Sequence, residues 1–354
     1  MNSIPKIGKK AMLLLIAVGI ILYISFLLVL NINIGKVVSL ISRARIEYVT
    51  LALLFDTSFI LFYAFAWYFI VRIFIPDLRL RDSLLAVIMG WLGDMIIPAA
   101  FITGEIIRLY YIGKKYKSKY GTLATTIVIH RLLSVIAFVF FIFTGAILLT
   151  FQQVVVASNI FREMILFAIL SIVAVLLIVY VIFVPERLNK TLIIAAKYVS
   201  KALTKMGLSK YSYDILSGFK SFHESIIQAR SNMKPIAVSL LLLLIQWVFG
   251  ILVPYNIFKA LGHNVSFWLL SLAYPLYGVA DNIPIGIPVN AGVLDTAMIT
   301  TFILLGIDKN LAVSATVLTR FITVCYEAFL TGVISLLFGI REILYELEKE
   351  KREI

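Results

Sequence analysis

Residues 11–30, AMLLLIAVGIILYISFLLVL, contain no charged side chain. A run of this length is what a helix needs to cross the hydrocarbon core of a bilayer. Comparable apolar runs recur at 48–71, 122–150, 163–184, 235–258 and 311–339. In lipid the backbone N–H and C=O groups must be satisfied inside the protein, and long unbroken apolar runs do this as helices. A signal peptide is the alternative for 11–30, but no small-residue cleavage site follows it and more spans come after. The expected fold class is therefore all-α, a polytopic integral membrane protein with about six full spans. A chain that is 62% hydrophobic and 14% charged is incompatible with an ordinary soluble domain.

Two further apolar stretches, 83–112 and 267–306, are interrupted. The first carries Gly90, Gly93, Asp94, Pro98, Gly104 and Glu105. The second carries Pro275, Gly278, Asp281, Pro284, Gly286, Pro288, Gly292 and Asp295. Glycine and proline at this density break helices. Broken backbone at membrane depth survives only inside protein or along a wet cavity. The expectation is two broken or re-entrant helical hairpins. For 83–112 a single full span is the rival, and the distribution of Lys and Arg leans only slightly toward the hairpin.

The two halves of the chain resemble one another. Asp94, Pro98, Gly104 and Glu105 precede Arg131 of VIHRLLSVIAF, while Asp281, Pro288, Gly292 and Asp295 precede Arg320 of VLTRFITVCYE. Each half reads helix, helix, broken hairpin, helix, over 11–150 and 163–339, within one transmembrane domain spanning 1–354. In the hairpin topology the halves start on opposite sides, which makes an inverted-topology repeat. In such folds the substrate site lies where the broken helices meet.

The formal net charge of +13 fits basic cytoplasmic loops rather than nucleic-acid binding. Both termini and the basic segment 185–234 are expected on the cytoplasmic side of a cell membrane. Lys197, Lys201 and Lys205 form a basic row in that segment, as on a helix lying on an anionic leaflet or on a solvated linker helix. Cys325 stands alone and His130, His223 and His263 are far apart, so no metal site and no cofactor are expected.

Charged groups deep in a bilayer cost about 2.5–3.5 kcal/mol each on insertion scales and mark function. The deep candidates are Asp56, Asp94, Glu105, Arg131, Asp281, Asp295, Arg320 and Glu327. In PAAFITGEIIRLYYIGKKYK, Gly104 allows a close approach at the turn, and Glu105 falls in the first turn of the returning helix. That helix start offers N–H groups to an anion, and Arg108, one turn on, offers a planar fork to a phosphate. The alternative is a Glu105–Arg108 pair that clamps the hairpin, with Arg108 snorkelling to the surface. Arg131 and Arg320 lie deeper and each needs an anion. Glu105 and Asp295 are the protein's candidates, and a lipid phosphate competes with them. The expected substrate-binding set is Gly104, Glu105, Arg108, Arg131, Asp295 and Arg320, supported by Asp94, Asp281, Pro98, Pro288 and Gly292. No Walker loop, nucleophile elbow or HExxH motif is present, so no enzymatic activity is expected.

At these residues the chain resembles the flippase-like transmembrane region of lysylphosphatidylglycerol synthases. The matching pieces are PAAFITGEIIRLYYIGKK, ATTIVIHRLLSVIAF and NIPIGIPVNAGVLDTAMITTFILLGIDKNLAVSATVLTRFI. Where the family usually has Glu before the first arginine, this chain has His130. Its glycine-rich turn is looser, with Asp295 for the usual Glu. The aminoacyl-transferase domain of the full-length synthases is not among these residues. The resemblance implies translocation of a phosphate-bearing lipid, a phospholipid or a polyprenyl-phosphate or glycolipid, with anionic membrane lipids as partners. A secondary transporter of a small anion remains an alternative reading. So does a non-transporting subunit that anchors a lipid-modifying or glycosyl-transferring enzyme.

Overall fold

The computed structural model describes residues 23–97, 102–151, 212–281 and 287–339, with isolated helical positions between 166 and 201. All regular structure in them is helical. We label the helices α1 (Tyr23–Val29), α2 (Ile34–Ser42), α3 (Ile46–Val71), α4 (Leu80–Ile96), α5 (Ile102–Tyr116) and α6 (Tyr120–Phe151). Next come α7 (Ser212–Arg230), α8 (Met233–Ala260), α9 (Phe267–Asp281), α10 (Val293–Leu304) and α11 (Lys309–Gly339). Helices α3, α6, α8 and α11 are long and apolar enough to cross a membrane, matching the expected runs at 48–71, 122–150, 235–258 and 311–339.

The expected first span differs. Its described part, α1, bends by 107° into α2. Asn31 takes a left-handed φ of 51° there, and Asn33 caps α2 by accepting from Lys36 N. Asparagine tolerates both roles because its short side chain bonds nearby backbone. The expected span at 163–184 falls outside the described residues apart from isolated helical positions, as does most of 185–211. The rest of the basic segment, α7, is no free surface helix. Thr125 donates to Phe222 O and Ser225 to Thr122, which seat α7 against α6.

Helices α3 and α8 form the centre and run antiparallel. Ser239 donates to the carbonyl of Ala66 at one end, and Arg45 N donates to the carbonyl of Ala260 at the other. Phe55 stacks on Phe249 between them. One helix comes from each half, so the halves run in opposite senses, as an inverted repeat requires.

The stretch 83–112 doubles back. A Cβ on Gly90 would stand 2.8 Å from the carbonyl oxygen of Gly104. In a continuous helix these residues would be about 21 Å apart. The open ends of α4 and α5 are tied by Asp82, which accepts from Lys115 at 2.9 Å and from Tyr116 at 2.6 Å. Pro98 lies outside the described residues. The second hairpin, α9 and α10, has the same form, with Tyr277 packed on Phe302 across its arms. Its tip contains a single 3₁₀ turn at Pro288–Asn290. The bases of the two hairpins lie at opposite ends of the α3–α8 pair, because α4 follows α3 and α9 follows α8. Their tips approach each other, with residues 288–290 in contact with α4.

The hairpin needs glycine where its arms touch. A Cβ on Gly104 would collide with the Asp94 carboxylate and stand 2.6 Å from Gly90 O. Gly104→Ala should therefore cost about 1–3 kcal/mol through overpacking. Nothing lies within 4 Å of a Cβ added at Gly278, in the matching hairpin, so Gly278→Ala should leave the melting temperature in detergent unchanged or slightly raised. Equal melting of the two variants would show that the α4–α5 contact is not tight.

Candidate functional site

Each hairpin tip presents a carboxylate to an arginine on the long helix that follows. Arg131 Nε on α6 donates to Glu105 Oε1 at 2.6 Å. Arg320 Nε on α11 donates to Asp295 Oδ1 at 3.3 Å. The acid in both cases sits in the first turn of a returning helix, where the unpaired N–H groups and the macrodipole favour negative charge. Those N–H groups are themselves engaged. Gly104 N donates to Asp94 Oδ1 at 2.7 Å, and Gly292 N donates to Asp295 Oδ2 at 2.8 Å. The first half uses an acid from the preceding helix, and the second uses the capping acid of the same helix.

The described part of the second tip holds non-glycine residues in the left-handed region. Val289 has φ 50° and Asn290 φ 48°, and Gly292 has φ 82°. A β-branched residue in the left-handed region costs about 1–3 kcal/mol, and such strain clusters at binding sites. The Val289 carbonyl is held by Arg320 Nη2. One arginine thus ties both the acid and the strained turn.

Arg108 is placed otherwise than the snorkelling expectation. It is buried, 5.1 Å from the Trp67 ring and 5.6 Å from the Tyr63 ring, with Glu105 Oε1 at 4.0 Å. Its Nη1 has no hydrogen-bond partner among the described residues. The aromatic faces replace the water it gave up. His130 is fully buried and packs edge-on to Tyr63 at 4.3 Å.

Between the tips lies a cavity of about 570 Å³. Arg131, Asp94, Arg320 and Val289 line it, so both halves contribute. Glu105, Arg108, Gly104, Asp295, Gly292 and Pro288 are not among the residues that line it. The side chain of Asp281 lies outside the described set. The rest of the wall is aromatic and polar: Phe59, Tyr63, Trp91, Trp247, Tyr274 and Tyr277, with Asp56, Gln246, Thr319 and Glu327. Sequence reading singled out Asp56 and Glu327 as deep charges, but nothing in one dimension joined them to this site. The aromatic wall carried no signal at all, in a chain with 13% aromatic residues spread along its length.

The residues from 14 to 331 match the family described as the lysylphosphatidylglycerol synthase TM region. The chain belongs to this family. It is 28% identical over 335 residues to a UPF0104 membrane protein of Methanocaldococcus jannaschii, covering 92% of this chain and 95% of that one. Similarity to a UPF0104 membrane protein of Pyrococcus horikoshii is 26% over 342 residues, or 93% and 97% of the two chains. A further relative from Methanothermobacter thermautotrophicus is 21% identical over 88% of this chain. These relatives share the length of the transmembrane region. The motif residues of the two hairpins, with Arg131 and Arg320, fall inside the matched range.

The two acid–arginine pairs predict thermodynamic coupling. Double-mutant cycles of Glu105→Gln with Arg131→Gln, and of Asp295→Asn with Arg320→Gln, should each give a coupling of about 0.5–3 kcal/mol in detergent melting. Additive losses would mean that the carboxylates do not hold the arginines.

Proposed function

We propose that the cavity carries the phosphate headgroup of a lipid between leaflets, with Arg131 and Arg320 as its electrostatic grip. The observation that carries this reading is the placing of one arginine from each half on a single cavity at the meeting of two broken hairpins. Each arginine is already paired with a carboxylate, so an arriving phosphate substitutes one anion for another on the arginine, while the displaced Glu105 keeps Arg108 and Asp295 keeps the Gly292 N–H. The buried Trp247 Nε1, Tyr277 OH and Thr319 Oγ1 on the same wall have no partner among the described residues. These are hydrogen-bond donors, and buried donors are nearly always satisfied, so they suit an oxygen-rich anion. The aromatic wall suits the apolar part of the same lipid. Arg108 acts from behind, holding Glu105 in place, and the phosphate contact passes to Arg131.

Orientation follows from the basic residues around the first hairpin's base. Arg79, Arg81, Lys114, Lys115, Lys117 and Lys119 cluster there, beside Lys220 and Arg230 of α7. This end is the cytoplasmic one in our reading. In a Cys325→Ser background, Ser118→Cys should resist an impermeant reagent in intact cells and Ser42→Cys, at the opposite end, should react. The reverse pattern overturns the orientation.

Transport is read by exchange of fluorescent phosphatidylglycerol between leaflets of proteoliposomes, with phosphatidylcholine as control. Losing a charge-assisted contact removes about 1.5–3 kcal/mol, so Arg131→Gln and Arg320→Gln should slow exchange by roughly tenfold or more. Lysine at either position keeps the charge and loses the fork, and should fall between. Folded Gln variants exchanging lipid at the wild-type rate would end the proposal. Uptake of inorganic phosphate without lipid exchange would favour a small-anion transporter instead.

A further inference from the structure

On the wall facing the arginines two carboxyl groups meet. Asp56 of α3 and Glu327 of α11 are both buried, line the cavity and lie close enough for their side chains to interact. Trp91 Nε1 of α4 donates to Glu327 Oε2 at 2.6 Å. Beside them Thr57 Oγ1 and Tyr326 OH, 2.6 Å apart, bind the same two helices together. Asp56 makes no ion pair among the described residues, and its buried Oδ2 has no donor. Two ionised carboxylates only accept, so they cannot hydrogen bond to each other. A contact between two buried carboxyl groups requires a proton on one of the two.

We propose that Asp56 and Glu327 form a proton-binding site that shares one proton and changes its occupancy with the anion in the cavity. The second clause rests on the cavity's reading as a phosphate passage; the first does not. The charged and titratable groups that face the pair set the sign. Arg131 comes from α6, Arg320 from α11, Asp94 from α4, Tyr63 from α3 and Tyr274 and Tyr277 from α9, while α8 presents the neutral Gln246. The arginines favour an ionised pair and Asp94 opposes it. A phosphate bound at the arginines adds negative charge to the cavity beyond that of the carboxylates already paired there. The pair then takes a proton from cavity water onto a carboxylate oxygen, and returns it when the phosphate leaves. By reciprocity, a protonated pair binds the phosphate more tightly. A proton and an anionic headgroup thus travel in the same direction. The π-helical segment Phe321–Tyr326 places Arg320 and Glu327 at its two ends, so both groups ride on one irregular stretch of α11. Such stretches often mark functional sites in helices.

The test has two arms. In the first, infrared spectra of the purified protein at neutral pH should show a protonated-carboxyl band that is lost in Asp56→Asn and in Glu327→Gln. An unchanged band in both variants overturns the proton site. In the second, vesicles of phosphatidylcholine carry labelled phosphatidylglycerol and an imposed pH difference. Exchange into the alkaline side should be accelerated roughly fivefold or more, the lower end of ordinary coupling between two sites. Asp56→Asn should lose the response to pH, whatever its own rate. A wild type that exchanges lipid with no response to the gradient overturns the coupling, as does a response to sodium in place of pH. If Asp56→Asn does not fold, Glu327→Gln and the wild-type gradient decide the matter. A wild type that moves no phosphatidylglycerol while keeping the infrared difference refutes the transport reading and leaves the proton site standing.

Discussion

An arginine inside a membrane protein has to be given an anion, and this fold is arranged around meeting that demand twice. Arg131 and Arg320 sit in helices long enough to cross the bilayer, where water is scarce. Each is met by a carboxylate in the first turn of a returning half-helix. That carboxylate can stand at membrane depth only because the chain breaks and turns back there, exposing a helix start. Proline and glycine in the middle of apolar sequence are therefore part of the same arrangement as the arginines.

Close approach makes the broken hairpins stable. Gly90 and Gly104 bring the arms of the first into backbone contact, and the tie from Asp82 to Lys115 and Tyr116 closes its base. The central antiparallel pair, α3 and α8, then holds the halves so that the hairpins enter from opposite ends. The tips meet in the middle and enclose a cavity to which neither half alone contributes both arginines.

The two pairs are not copies. Asp295 bonds both its arginine and the N–H of Gly292, while Glu105 leaves the corresponding N–H to Asp94. Glu105 is also braced from behind by Arg108, which lies against Tyr63 and Trp67. In the second half the bracing is the strained turn at Val289. The Arg131 side chain is 35% exposed and that of Arg320 is 12% exposed. The first pair is the more accessible of the two, and its hydrogen bond, 2.6 Å against 3.3 Å, is the shorter.

The sequence by itself indicated the class of fold, four of its six expected spans as long helices, the two interruptions, and Glu105 and Asp295 as candidate anions for Arg131 and Arg320 beside a competing lipid phosphate. Hydrophobic length and the cost of a bare buried charge are local and pairwise quantities, so they can be read along a chain. Tertiary structure alone decided that 83–112 doubles back, because a span and a hairpin have the same composition and differ only in whether Gly90 touches Gly104. It also decided that Arg108 turns away from the cavity into Tyr63 and Trp67, although its place one turn after Glu105 suggested otherwise. The meeting of Asp56 with Glu327 depends on how α3 packs against α11, and no spacing in the sequence encodes a contact between residues so far apart.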